Sequence, residues 1–342
     1  MAKNLRELIF FITRDCNLSC RTCFVLPSSR FSPATTEADL SLEEIERAAR
    51  SLGGLRALLL SGGEPFLSDK LLHACLLFAR YNPIVRIHLP SNGTLPERIL
   101  AETEELLKRL PAVRLTVSFS LDGLAGAHDA IKGRPGHFAQ VCESIRFLAP
   151  LRGRYANLET QVITVVADEN LDDVLPLAEY IKANLPVDGH GPSPLRGSPR
   201  DPGLRPPSPE AWRRLSTQLL PFHRFWISRS RRPFWKKRLA LNRVSYLYRL
   251  YEKVLAGGRP PFHCPAGRTV GVLEADGLFR HCELSDPLGN IRDYQCDLAV
   301  AWRSAAAEAG RLKLGTCACA HACFLSPGIR SSPRALLASL LG

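Results

Sequence analysis

The stretch Thr13-Arg14-Asp15-Cys16-Asn17-Leu18-Ser19-Cys20-Arg21-Thr22-Cys23-Phe24 follows directly on an apolar run, Leu8 to Ile12, that reads as a β-strand. Cys16, Cys20 and Cys23 fall on one short loop with the spacing Cys-x3-Cys-x2-Cys. Three thiolates so placed can hold three corners of a cubane iron–sulfur cluster, which ordinarily takes four cysteine ligands. The corner without a protein ligand leaves one iron open to a substrate or cofactor. Zinc is the competing metal, but its structural sites are usually built from paired Cys-x2-Cys halves. Disulfides are the competing covalent fate. Against them, Met1 to Glu7 lack the order of a secretory signal, and eleven cysteines in a leaderless chain point to reduced thiols and metal. No apolar run reaches the roughly 18 residues of a transmembrane segment, so the expected location is the cytoplasm.

The 342 residues suffice for one large α/β domain and a smaller appendage. Over residues 1–200, short β-like runs alternate with helix-length amphipathic segments, the pattern of βα units around a parallel sheet. The expected strands are Leu8–Thr13, Ala57–Ser61, Ile84–Pro90, Leu115–Ser120, Leu158–Val165 and Val187–Leu195. The expected helices are Ser41–Leu52, Asp69–Arg80, Pro96–Leu110, His137–Leu148 and Leu171–Asn184, the first opened by a Ser41/Glu44 capping box. Six such units form an incomplete version of the eight-unit barrel, whose active sites sit at the C-terminal ends of the strands.

Further motifs stand at those ends. The second strand is followed by Ser61-Gly62-Gly63-Glu64-Pro65, where two glycines let the backbone approach a ligand closely. A plain strand-to-helix turn is the simpler alternative. The third ends in Pro90-Ser91-Asn92-Gly93-Thr94. The fourth gives Ser118-Phe119-Ser120-Leu121-Asp122-Gly123, then His128-Asp129-Ala130-Ile131-Lys132-Gly133 and Gly136-His137-Phe138. The fifth offers Gln161 and Thr164 toward the barrel mouth, and the sixth ends in Leu195-Arg196-Gly197.

In this order the motifs resemble the radical S-adenosylmethionine (radical SAM) family. The resemblance implies a partial (βα)6 TIM barrel with a 4Fe–4S cluster on Cys16, Cys20 and Cys23, SAM chelating the open iron. Reductive cleavage of SAM would then give a 5′-deoxyadenosyl radical that abstracts hydrogen. It further implies that Gly62, Gly63 and Glu64 contact the methionine amino group of SAM, and that Asn92 belongs to a cofactor-binding turn. Ser120 would face the SAM carboxylate or ribose, Asp122 would lie near the substrate, and Phe24 would pack on the adenine. The Arg196 guanidinium suits the SAM carboxylate as a two-pronged donor.

The remaining cysteines lie mainly near the C-terminus. Cys264, Cys282, Cys317, Cys319 and Cys323 surround an Asp276-Gly277 hairpin turn and resemble a SPASM or shorter Twitch extension, which holds auxiliary iron–sulfur clusters. A closed cluster needs four thiolates, so the count favours one auxiliary 4Fe–4S cluster, on Cys264, Cys282 and two of Cys317, Cys319 and Cys323. Spacing leaves that terminal pair open, and a zinc site from the same residues is the alternative. Cys75 and Cys142 read as packing residues on helices, and Cys296 as a bystander. His263, His281 and His321 read as groups beside the ligands rather than ligands. These readings divide the chain into a barrel (1–200), a basic aromatic segment (201–259), a cluster domain (260–330) and a tail (331–342).

Between Arg205 and Arg259, fourteen Lys or Arg face only Glu210 and Glu252, which accounts for the whole net charge of +12. Trp212, Phe222, Phe225, Trp226, Phe234, Trp235, Tyr246, Tyr248 and Tyr251 interleave with them. Such a segment suits an acidic peptide or small anionic substrate, single-stranded nucleic acid or a membrane surface. A solvated helical face is the plain alternative. The expected activity is hydrogen abstraction from a peptide or small anionic substrate, fed by an external one-electron reductant of the flavodoxin or ferredoxin kind. A sugar or nucleoside enzyme and a non-catalytic electron carrier are the competing classes. With the first strand expected within a few residues of Met1, no leader-peptide-binding domain is expected before it, which weakens the peptide reading without excluding it, since such a domain can be a separate protein.

Overall fold

Leu8 to Phe11 are all buried, so the first strand has both faces covered and must lie inside the sheet. The computed structural model describes residues 4–25, 38–230, 233–314 and 319–341. Strands β1 (Glu7–Phe11), β2 (Ala57–Ser61), β3 (Arg86–Ser91), β4 (Arg114–Ser120), β5 (Leu158–Val166) and β6 (Gly189–Pro194) pair in parallel, in chain order. Helices α1 (Leu42–Leu52), α2 (Leu71–Tyr81), α3 (Pro96–Arg109), α4 (Ala125–Lys132), α5 (His137–Arg154) and α6 (Val174–Asn184) cross between them. The result is an open sheet, a partial (βα)6 barrel. The Ser41/Glu44 capping box starts α1, and Gly53 ends it in the left-handed region (φ 62°).

The second strand falls on its expected bounds, and the ends of the other five lie within two residues of theirs. The sixth, GHGPSP, carries Pro192 and Pro194 within the strand, and it tolerates them because it is the sheet's edge. Helix α4 was absent from the pattern, having no side-chain cap and only eight residues. Helix α5 runs past the expected stop at Leu148 and through Pro150 to Arg154.

On the far side of β1, strand β7 (Val270–Leu273) pairs in parallel, and β8 (Leu278–Arg280) and β9 (Gly289–Asn290) add antiparallel strands. The C-terminal region therefore continues the barrel's own sheet. The basic segment folds as two long helices, α7 (Pro209–Arg229) and α8 (Phe234–Leu255), joined where Trp212 bonds the Tyr248 carbonyl. Among the described residues, four short α-helices follow: α9 (Leu298–Trp302), α10 (Ala305–Lys313), α11 (Ala322–Ser331) and α12 (Pro333–Leu341). Trp212, Trp226, Tyr246, Tyr248 and Tyr251 of the basic segment are buried. These five belong to the core, which removes them from any base-stacking surface. No described helix is long and apolar enough to cross a membrane.

Candidate metal and cofactor site

Strand β5 alternates strictly between buried and half-buried residues, so one face packs on helices and the other lines the concave interior. Register sets Ser118 opposite Gln161 and Ser120 opposite Ile163, placing Ser120 and Gln161 on the concave face. Thr164 is three residues beyond Gln161 and so points the other way. It is buried, donates to the Leu121 carbonyl at 2.5 Å and bonds His190 Nε2 at 2.8 Å. The expectation that both residues face the mouth is corrected by the pleat. His88, which the motifs did not single out, bonds Ser118 Oγ at 2.7 Å, and burial lowers its pKa to about 4.

The cysteine loop leaves β1 and is held on three sides. On the first, the Gly63 N–H donates to the Thr13 carbonyl (2.9 Å) and the Glu64 N–H to that of Asp15 (2.7 Å). A Cβ on Gly63 would lie 2.0 Å from the Asp15 carbonyl oxygen, and one on Gly62 (φ 147°) 2.4 Å from that of Thr13. The two glycines are thus required by the approach of turn to cysteine loop. Glu64 is 1% exposed and turned inward. It accepts from the Phe66 N–H, the Ser91 hydroxyl and the Asn92 N–H at 3.2, 2.9 and 2.7 Å, and burial pushes its pKa up to about 7.

On the second side, the Asn92 amide lies 4.0 Å from Cys16 Sγ and donates to Asn17 Oδ1 at 2.8 Å. The Asn92 carbonyl is reached by a buried pair of stacked histidines. The Asp122 N–H can only donate, so His128 Nδ1 accepts (3.0 Å) and its Nε2 carries the proton. That Nε2–H donates to His137 Nδ1 (2.8 Å), and the His137 Nε2–H donates to the Asn92 carbonyl (2.9 Å). Desolvation holds both rings neutral, with pKa values lowered to about 2 and about 4. The backbone alone thereby fixes both tautomers and ties the β4 end to the β3 end.

The third side is ionic. Arg21 forks to Glu169 and Asp201 at 2.6 Å each, and the Arg200 N–H donates to the Cys23 carbonyl. Behind the loop, Lys132 Nζ lies 2.7 Å from Asp122 Oδ2, both residues nearly fully buried. Asp122 also accepts the Val165 N–H, so it braces the loop from within instead of facing a substrate. Burial pushes the Cys16 thiol up to about 11 and raises that of Cys20, which the Lys132 ammonium opposes. Metal binding must therefore drive deprotonation.

The donors fit a cubane cluster. Cys16, Cys20 and Cys23 are free thiols, close enough for their charges to interact. Among the described residues no three His, Cys, Asp or Glu side chains are gathered for a single ion, whereas a cubane spreads its thiolates over separate iron corners. Phe24, at the end of the loop, lies under the Arg196 guanidinium (4.7 Å to the ring centroid). Arg196 also lies 3.8 Å from Glu283, which pairs with the buried His321.

Around the C-terminal cysteines, Cys264, Cys282 and Cys323 pack into one apolar cluster with Ile9, Phe11, Val270, Val272 and Phe324. Cys264 and Cys319 line a cavity of about 770 Å³ that His263 also borders. His321 Nδ1 accepts the Cys323 N–H, and His281 stacks edge-on to Trp302. Cys317 lies outside the described residues. Cys75, Cys142 and Cys296 are buried elsewhere, Cys296 with its Sγ 3.8 Å from Glu44.

The sequence profile of the radical SAM superfamily matches residues 10–181. Over 180 residues the chain is 28% identical to the antilisterial bacteriocin subtilosin biosynthesis protein AlbA of Bacillus subtilis, covering 51% of this chain and 36% of that protein. Over 178 residues it is 30% identical to a GTP 3′,8-cyclase of Syntrophomonas wolfei, covering 52% of each. The matched stretch is thus about half or less of either relative. Among solved structures, anSMEcpe with bound AdoMet and Cp18Cys peptide superposes with a TM-score of 0.58 at 19% identity, over 90% of this chain and 82% of that one, a likeness of fold.

Proposed function

The chain belongs to the radical SAM superfamily, and from that premise we propose that Cys16, Cys20 and Cys23 hold its 4Fe–4S cluster with SAM on the open iron. When bound, that pair supplies a 5′-deoxyadenosyl radical for hydrogen abstraction. The observation carrying this reading is the convergence of the β2 and β3 turns on one cysteine loop, through the Gly63–Thr13 bond and the Asn92 approach to Cys16. Gly62 and Gly63 would offer backbone groups to the SAM ammonium, Ser120 its hydroxyl from the concave face, and Phe24 its ring to the adenine. Glu64 is occupied by three donors, so we assign it to positioning the Asn92 turn. Arg196, steadied by Phe24 and Glu283, would present its guanidinium to the carboxylate.

A peptide is the substrate we favour, in line with the subtilosin relative and the peptide-bound neighbour. The cyclase relative supports a second reading, a small anionic substrate. Cys264, Cys282 and two of Cys317, Cys319 and Cys323 would hold an auxiliary 4Fe–4S cluster in the 260–330 region, and an external one-electron reductant would feed the barrel. The test is anaerobic reconstitution with iron and sulfide, followed by assay of 5′-deoxyadenosine from SAM and reductant. About eight irons per chain, with deoxyadenosine lost in Cys16→Ala, is the expected result. About four irons with cleavage intact would remove the auxiliary cluster. Iron without cleavage would leave an electron carrier.

A further inference from the structure

From Ala211 to Tyr251 the chain contains no Asp or Glu, and helices α7 and α8 sort their side chains by face. Inward go Trp212, Trp226, Tyr246, Tyr248 and Tyr251, with Trp212 Nε1 donating to the Tyr248 carbonyl at 3.1 Å. Outward go Arg224, Arg229, Lys236, Arg238 and Arg243. Two aromatic residues break the sorting. Phe234 is 84% exposed and Trp235 59%, and they are the first two residues of α8. Helix α12 lies along α8, with the Leu340 carbonyl held by Asn242 at 2.7 Å, about two turns from Trp235. It adds the exposed Leu337 and Leu341. These four are half of the exposed large apolar side chains among the described residues, so the apolar exposure is concentrated where the cations are.

Single-stranded nucleic acid needs a row of exposed rings along a groove, one for each stacked base. Here the row is buried, and what remains is an adjacent pair at a helix start. An acidic protein would answer the cations and leave two rings and two leucines without cover. A lipid surface answers both: the rings enter the headgroup boundary while ammonium and guanidinium groups meet anionic headgroups. We propose that the N-terminal end of α8, with the adjoining faces of α7 and α12, is a peripheral docking surface for membranes bearing anionic lipids. This surface would hold the barrel beside a bilayer, and it stands independently of which reaction the barrel performs.

Trp212, Trp226 and Trp302 are buried, so among the four tryptophans Trp235 is the one whose emission reports contact with lipid. The full chain is mixed with phosphatidylcholine vesicles with and without phosphatidylserine, and sedimentation and tryptophan emission are followed. Binding is expected only to the phosphatidylserine vesicles, with a blue shift, and it should be released by high salt. Phe234→Ser with Trp235→Ser, and separately Lys236→Glu with Arg238→Glu, should each weaken partitioning about tenfold or more. Both should leave the melting midpoint and deoxyadenosine formation unchanged. Equal binding to neutral vesicles, binding without the blue shift, or full binding by the serine variant would overturn the proposal. Salt-sensitive binding of single-stranded RNA with no vesicle binding would assign the surface to nucleic acid instead.

Discussion

At Gly63 one methyl group decides whether the second strand's turn can reach the cysteine loop. Its Cβ would lie 2.0 Å from the Asp15 carbonyl oxygen, and backbone atoms cannot swing away as a side chain can. Gly63→Ala should cost about 1–3 kcal/mol and release most of the iron retained after reconstitution. Gly54→Ala, which meets nothing nearer than 3.8 Å, should change neither iron content nor melting appreciably. The histidine relay carries a pH signature. His128 and His137 are neutral in the fold, with pKa values lowered to about 2 and about 4 by desolvation. Below about pH 6.5 the unfolded chain takes up protons that the folded chain refuses. Stability of the metal-free chain should therefore be full above pH 6.5 and fall toward pH 4, by up to about 1.4 kcal/mol per pH unit for each ring. Urea denaturation at a series of pH values should show this slope, and His137→Gln should flatten it. An unchanged slope in that variant would mean the ring titrates normally. The cysteine triplet was legible because its spacing is local, whereas the inward turn of Glu64 and the relay depend on partners 27 to 45 residues away.

Elements were legible wherever one face is buried and one is not, as in β5 and the capped α1. Helix α4 escaped because an eight-residue segment without a cap has little pattern to show. The basic segment misled in a more instructive way. Its aromatics and cations alternate along the chain, but at 3.6 residues per turn they separate onto opposite faces, and only the fold decides which face is inside. Contacts between distant elements are also absent from local pattern. Glu44 completes the α1 capping box and bonds Arg292 at 2.6 Å, which joins the barrel to the C-terminal region. The Arg292 guanidinium holds the Glu44 pKa down to about 2. Because the folded value lies below the unfolded one, the stabilisation is present above about pH 4.5 and is lost as pH falls toward 2. Glu44→Gln should lower stability by about 1 kcal/mol near pH 7. In thermal melts the gap between the two proteins should narrow through that acid window, and a constant gap would show that the carboxylate's charge is irrelevant to the docking.

At the scale of the whole molecule, six βα units could be read in order because each is a local alternation, and the partial barrel followed from them. The seam between barrel and C-terminal region could not, because it pairs Glu7 through Phe10 with Val270 through Leu273, and no local signal links strands so far apart. That seam has a physical consequence. Residues 1–200 resemble a self-sufficient barrel with an appendage, yet β7 covers the edge of β1, and Val270, Val272 and Phe324 bury Ile9 and Phe11 on the concave side. Removing everything after Arg259 would leave the backbone groups of β1 unpaired along that edge. It would also bare two large apolar side chains, each worth about 2 kcal/mol of burial. An uncovered parallel strand of this kind is a template for aggregation. A chain ending at Arg259 should therefore be recovered mainly as insoluble protein, and what stays soluble should bind hydrophobic dye and retain little iron on Cys16, Cys20 and Cys23. Asn or Ser replacing Cys264, Cys282, Cys319 and Cys323 in the full chain provides the contrast. That variant keeps β7 in place, so it should remain soluble and lose only the irons assigned to the auxiliary cluster. If the truncated chain instead stays monomeric and holds about four irons, the barrel is complete without β7 and the C-terminal region is a true appendage.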